Sequence, residues 1–362
     1  MRVTTLSLFL FLAFLQFADI INEDIPAKGE WDLKPSKVWE VSTYGKKHMA
    51  LPNVGAVLDD GSLCIYDYKR RLNYIFNKNG ENIASFGKKG EGPGEVKFQS
   101  NVLGIDEKFI VLDYSRIHYF TAKGVFLKTV LLSLDLGMPE LFINDEEYIS
   151  VLSDSNKAEI KRVNLTRKSA QSICKIPDYI RGQFPSQERM ITIVIPPLTP
   201  RYEFDFDFKN NILYYGVNNR YRIFESDLSG TTQNMITLKR SQRMLDRKMK
   251  KKINKEMNLS KKMWDRLPKT LNQFAKIQVT DDFLLVYVQK FEEFFPEQQI
   301  DVFSKNGQYL YRMFFRPGSG EEIHSNMDYQ LIIKNSYLYA AIQDQDGEMK
   351  VVKYKISLPL VR

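Results

Sequence analysis

Ile75-Phe76-Asn77-Lys78-Asn79-Gly80, Tyr119-Phe120-Thr121-Ala122-Lys123-Gly124 and Val302-Phe303-Ser304-Lys305-Asn306-Gly307 are three copies of one hairpin. Ile223-Phe224-Glu225-Ser226-Asp227-Leu228-Ser229-Gly230 is a longer relative. In each, a β-rich run meets a polar turn that closes on glycine, and a second run follows. Repetition at about 40–50 residues, with strands and no helical repeat, is the signature of a β-propeller.

Working outward from these hairpins, six further polar turns each precede a strand-like run. The runs are Ser62–Tyr68, Phe109–Ser115, Tyr148–Asp154, Ile212–Asn218, Leu284–Lys290 and Tyr337–Asp344. They supply strand b of six blades. Glu81–Phe86, Val125–Leu132, Ser169–Ile176, Thr231–Leu238 and Gln308–Phe315 fit strand d of blades 1 to 5. Blade 6 has room for strands a to c near Tyr329–Ile356, so its fourth strand is expected from Lys37–Tyr44, closing the ring and removing the open edge. The expected fold is all-β: a six-bladed propeller over 30–362 with a short helical insertion at 241–268, between blades 4 and 5.

The bulk properties agree. All-β toroids often reach 362 residues as one domain, and 13% aromatic content suits strand faces. Met1-Arg2 followed by an apolar run from Leu6 to Phe17 predicts a signal peptide over residues 1–19. The run is shorter than the ~20 residues of a membrane-spanning helix. Export to the periplasm, the cell surface or the medium is expected, with an uncleaved anchor as the competing reading. Cys64 and Cys174 fall in different blades and are expected as two separate thiols.

The net charge of +8 is not spread evenly. Lys239 to Lys269 holds thirteen Lys and Arg against Asp246, Glu256 and Asp265, so the rest of the chain is slightly acidic. Within that segment Leu245, Met249, Ile253 and Met257 recur every four residues, predicting an amphipathic helix with Lys and Arg on its other faces. Ser260 would start a short second helix that Pro268 stops. The apolar stripe should dock on the propeller, leaving the lysines for an anionic partner or for solubility alone. Nucleic acid does not suit an exported chain.

Antiparallel order puts the d→a and b→c connections on one face and the a→b and c→d turns on the other. The long insertions are all d→a connections, and sites gather on loops held by a rigid scaffold. The d→a face is therefore the expected functional surface. Its first loop, Phe86-Gly87-Lys88-Lys89-Gly90-Glu91-Gly92-Pro93-Gly94-Glu95-Val96, lacks the Lys-Ser/Thr and following helix of a phosphate cradle. Together with the Phe76–Gly80 hairpin, this loop resembles the NHL-like and TolB-like six-bladed propellers. That resemblance is specific over residues 53–132 and weaker elsewhere. It implies a toroid and export, as in the many unassigned exported propellers of Bacteroidetes-type bacteria, and it transfers no catalytic residue.

Some NHL-like lyases hold zinc through histidines at the toroid mouth. Here His48 and His324 fall in d→a connections and His118 follows a b→c turn, with no recognised metal spacing. Lactonase-like propellers bind calcium through converging Glu, Asn and Asp. Glu203, Asp205 and Asp207 alternate with Phe204, Phe206 and Phe208, which puts acid on one strand face and rings on the other. The plainer reading is a wet face opposite a packed one. Ser319, between Gly318 and Gly320 and near His324, reads as a blade connector rather than a nucleophile.

The long 177–201 connection brings Tyr179, Arg181, Arg189 and Arg201, and Arg316 lies in the next connection but one. The expected function is binding of a glycan, peptide or protein on the d→a face by a monomer. Its candidate residues are His48, Lys88, Lys89, Tyr179, Arg181, Arg189, Arg201, Arg316 and His324. No catalytic residue, metal or cofactor is assigned. The alternative is a metal-dependent propeller enzyme, either an NHL-like lyase or a lactonase-like hydrolase.

Overall fold

The computed structural model describes residues 18–45, 47–154, 157–176, 183–185, 190–192, 198, 200–257, 269–291, 294–324 and 331–359. Six antiparallel sheets surround a central channel. Blade 1 is built from Pro52–Val57, Leu63–Asp67, Leu72–Phe76 and Asn82–Phe86. Blade 2 is Gln99–Ile105, Lys108–Asp113, Arg116–Thr121 and Phe126–Leu131. Blade 3 is Pro139–Asn144, Glu147–Asp154, Lys157–Asn164 and Ser169–Ile176. Blade 4 is Tyr202–Asp207, Ile212–Val217, Arg222–Asp227 and Thr232–Lys239. Blade 5 is Phe274–Val279, Phe283–Val288, Gln298–Ser304 and Tyr309–Phe315.

Blade 6 takes Ile332–Lys334, Tyr337–Gln343 and Met349–Lys355 from the end of the chain. Its fourth strand is Ser36–Val41, antiparallel to Met349–Lys355, so the ring closes as expected, with a strand that starts one residue earlier and ends three residues earlier. The closing strand is pinned at the seam with blade 1. Trp39 Nε1 and Lys353 Nζ both donate to the Lys78 carbonyl, at 3.0 and 3.1 Å.

The repeated hairpin has a physical cause. Its first polar residue caps the c→d turn: Asn77 accepts from the amides of Asn79 and Glu81, Thr121 from Lys123 and Val125, and Asp227 from Ser229 and Thr231. Its glycine sits against the outer part of the preceding blade. A Cβ at Gly80 (φ +84°) would lie 2.9 Å from Trp39, and one at Gly307 (φ +81°) 2.8 Å from Ile20 and Ile236. In blade 3 the turn has no glycine and Lys168 takes the positive φ of 49°. That exception hides blade 3 from the repeat.

The core lies between blades, where strand b of blades 1, 2 and 5 is almost wholly apolar and buried. Each such Leu, Ile, Val or Phe contributes about 1.5–3 kcal/mol. Cys64 and Cys174 are free and in separate blades.

One feature has no counterpart in the sequence reading. Ala18–Glu23 adds to blade 4 as a fifth strand, parallel to Thr232–Lys239, and Glu30–Asp32 does the same on blade 5. Described strand thus starts at Ala18, within the expected 1–19 leader and ahead of the expected propeller start at 30. The reason is polar. Asn22 Nδ2 donates to the Gly307 carbonyl at 2.9 Å and its Oδ1 accepts from Tyr309 N at 2.8 Å. Asp24 accepts from Arg240 at 2.7 Å and Arg312 at 2.9 Å, so one strap rivets blades 4 and 5. Residues 1–17 lie outside the described residues.

Candidate functional site

Strands a line a central channel of about 1010 Å³. Its polar side chains are engaged in holding neighbouring blades together. Asp205 Oδ2 accepts from Val279 N of blade 5 at 2.7 Å, and Lys305 Nζ reaches Asp207 at 2.8 Å. Gln278 accepts from the Tyr287 hydroxyl at 2.7 Å and donates to the Ile333 carbonyl. Lys276 Nζ donates to the Leu331 carbonyl at 2.9 Å, and Lys334 Nζ meets Asp59 at 2.6 Å.

The alternation at 203–208 holds. Phe204 and Phe206 pack between blades 3 and 4, and the carboxylates turn the other way. Burial pushes the Asp205 carboxyl above its usual range, against the pull of two backbone amides and Lys276 and Lys305. Glu203 pairs with Arg201 at 3.5 Å. These acids bind protein rather than converge on a vacant centre. Among the described residues no three His, Cys, Asp or Glu are grouped to hold a metal.

The histidines are also separate. His48 is exposed on a small hairpin, with Nδ1 4.0 Å from Glu348. His118 is buried in blade 2 between Thr129, at 2.9 Å, and Asp113, at 3.4 Å; burial holds its pKa down despite that carboxylate. His324 is buried with its ring 4.8 Å from that of Phe294. Ser319 lines a surface cavity of about 540 Å³ with Arg316 and Gln345. Arg316 pairs with Glu297 and lies over Phe314. Lys88 and Lys89 are exposed on a turn that binds itself, with Val96 N on the Lys88 carbonyl at 2.8 Å and Gly92 N on Glu95 at 2.9 Å. Tyr179, Arg181 and Arg189 lie outside the described residues.

The insertion sits where expected. Its ends form a short antiparallel stem, Leu245 N to the Lys269 carbonyl and Leu271 N to the Arg243 carbonyl. Asp246 then caps the helix Arg247–Met257 through Met249 N at 2.8 Å. Leu245 and Ile253 are buried on Leu198 and Leu271, with Met249 and Phe291 beside them. Arg247, Lys248, Lys250, Lys251, Lys252 and Lys255 stay exposed. Met257 and the expected second helix are beyond description.

Under this stem lies a set of residues the sequence reading missed. At the d→a end of strand b, one polar side chain catches the incoming loop. Asp67 accepts from Ala50 N at 2.9 Å, Asp113 from Phe98 N at 2.7 Å, and Asn218 from Arg201 N at 2.9 Å. In blades 4 and 5 this position changes from aspartate to amide, Asn218 and Gln289. Gln273 joins them through its backbone, its N–H donating to the Asn218 main-chain carbonyl and its main-chain carbonyl accepting from Gln289 N. Gln298 follows, donating to the Val288 carbonyl. Asn218, Gln289 and Gln298 are at most 2% exposed. Asn218 Nδ2 and the Oε1 atoms of Gln273, Gln289 and Gln298 have no hydrogen-bond partner among the described residues. Arg243 and Gln242 of the stem reach over the row, to the carbonyls of Gln289 and Asn219. A polar residue closing the apolar run of strand b in four blades (Tyr66-Asp67, Leu112-Asp113, Val217-Asn218, Val288-Gln289) was the available signal.

No helix among the described residues is long and apolar enough to cross a membrane. No protein-family model matches the sequence, and no curated protein matches it. Solved structures do match in shape. A DUF4221-family protein from Bacteroides vulgatus shares 10% identity over 90% of this chain and 99% of its own, with a TM-score of 0.55. A candidate exported protein of Bacteroides fragilis shares 14% over 94% and 100%, with a TM-score of 0.56. A streptogramin B lyase also matches, at 8% identity over 88% and 98%, with a TM-score of 0.44. At these identities the likeness is one of fold: the chain is a six-bladed β-propeller with DUF4221-type Bacteroides proteins among its structural neighbours.

Proposed function

We propose that this chain is an exported binding protein whose ligand docks at the d→a mouth of blades 4 and 5, beneath the basic insertion. The observation that carries this reading is the amide row. Buried donors and acceptors that find no protein group cost about 1–3 kcal/mol each, so a fold that keeps several together departs from its own repeat for a reason. Side-chain amides offer donor and acceptor side by side, which suits the hydroxyls of a glycan or the peptide groups of an extended chain. The exposed lysines of the helix favour an anionic ligand or partner. Export is supported by the apolar run from Leu6 to Phe17 and by the exported character ascribed to one structural neighbour. The reading needs only one chain to form the mouth and takes the protein as a monomer.

Glycan and peptide arrays probed with the purified protein and its Gln289→Leu variant test this. The reading predicts a ligand for wild type whose binding falls about tenfold in the variant, with melting little changed. Equal binding by the two proteins would move the site elsewhere.

A further inference from the structure

Half of the exposed large apolar side chains among the described residues belong to one blade. Phe98, Tyr114, Val125, Leu127, Leu131 and Leu134, each 46–73% exposed, are six of twelve, and Val125, Leu127, Leu131 and Leu134 lie on or within three residues of the outer strand of blade 2. That strand, Phe126–Leu131, is the last in its sheet. The outer strands of blades 1 and 3 are also last, but among the described side chains blade 1 exposes only Ile83 and blade 3 none of this class. Tyr114 adds a second sign. It takes a φ of +45° in the two-residue turn between the paired Asp113 and Arg116, a conformation costing a non-glycine residue about 1–2 kcal/mol. Its ring is two-thirds exposed, so burial does not offset that strain.

The molecule shows what such an edge accepts. Blades 4 and 5 carry added parallel strands, supplied by Ala18–Glu23 and Glu30–Asp32. The added segment is apolar and acidic: Ile20, Ile21 and Ile25 with Asp19, Glu23 and Asp24. Around the blade 2 edge, Lys88, Lys89, Lys97, Lys123 and Lys128 are exposed, against Glu91, which pairs with Lys97, and Asp135. Two copies of this edge would set Lys128 near its own equivalent, so a like-charged second copy fits poorly.

We propose that the outer edge of blade 2 takes an extended segment of a partner protein as a fifth strand, apolar at alternate positions and flanked by acidic residues. Backbone groups of Phe126–Leu131 supply the ladder, Leu127 and Leu131 the apolar contacts, and the lysines the charge. This surface is distinct from the mouth of blades 4 and 5.

The test pans a random phage-displayed 12-residue peptide library, a probe length of about 40 Å when extended, on the purified full chain. Enriched peptides are then titrated by fluorescence anisotropy against wild type, Leu127→Glu/Leu131→Glu, and Gln289→Leu. The expected result is an apolar, acidic consensus whose affinity falls about tenfold or more in the double variant and not in Gln289→Leu. Backbone N-methylation of the peptide should abolish binding while the double variant melts like wild type. A library without enrichment, or peptides indifferent to the double variant, would overturn the proposal. So would sedimentation of wild type with phosphatidylglycerol vesicles through the same leucines, which would assign the patch to a membrane.

Discussion

Asp301 is wholly buried and accepts from Tyr221 at 2.6 Å, Tyr309 at 2.8 Å and Arg240 at 2.6 Å. Burial and this carboxylate push the Tyr221 phenol well above its ordinary range. Burial alone would lower the Arg240 pKa, but Asp301, Tyr221 and Asp24 outweigh it and hold the charge in place. Arg240→Met leaves a buried carboxylate short of its cation and should cost about 3 kcal/mol by urea denaturation; a loss under ~1 kcal/mol would mean the tyrosines suffice. His118 and Asp113 set the acid response. Burial raises the Asp113 carboxyl, but the Lys97 and Phe98 amides, Arg116 and His118 bring it below its usual range. Both groups bind fewer protons folded than unfolded. Stability is therefore full above about pH 6.5, falls first as unfolded His118 takes up its proton, and falls again below about pH 4 through Asp113. Thermal melts should show His118→Gln flattening only the upper step; a flat profile in wild type would contradict the assignment.

At the scale of elements, the strap and the insertion matter most. Asn22→Ala removes bonds to Gly307 and Tyr309 and should destabilise by about 1–3 kcal/mol, chiefly through the buried blade 4–5 seam. Unchanged melting would make residues 18–32 a passive tail. The insertion rests on a small cluster around Leu245, Ile253, Leu198 and Leu271, so it is the element most readily lifted. Its sequence was legible because the four-residue spacing of Leu245, Met249 and Ile253 is a helical stripe. Its cap at Asp246 was legible in hindsight only. The blades were legible because capped glycine turns such as Asn77–Gly80 recur. The strap was not, since Asp19-Ile20-Ile21-Asn22 is too short and too close to the apolar run Leu6–Phe17 to be told from it. The amide row was missed because a Gln after a strand becomes informative only beside the aspartates it replaces.

Across the whole molecule the two faces differ in charge. The a→b turns expose Asp59, Asp60, Asp106, Glu107, Asp281 and Asp282, and the d→a side carries the basic helix. The described chain joins the propeller at Ala18, at the a→b end of blade 4, and runs along the blade toward the d→a side. A face with six exposed helical cations should be retained on sulfated dextran at low salt, and Lys248→Glu/Lys251→Glu should elute earlier. Identical elution would assign those lysines to solubility alone.

The central claim is that ligand enters between blades 4 and 5 at the d→a end. Hydrogen–deuterium exchange of wild type, with and without the tightest array ligand, measures this directly. Protection is predicted at residues 216–220, 243–245, 269–273 and 287–291, with the a→b turns at 59–61, 106–107 and 280–282 unchanged. Protection confined to the a→b turns, or to blades away from Asn218 and Gln289, would contradict it.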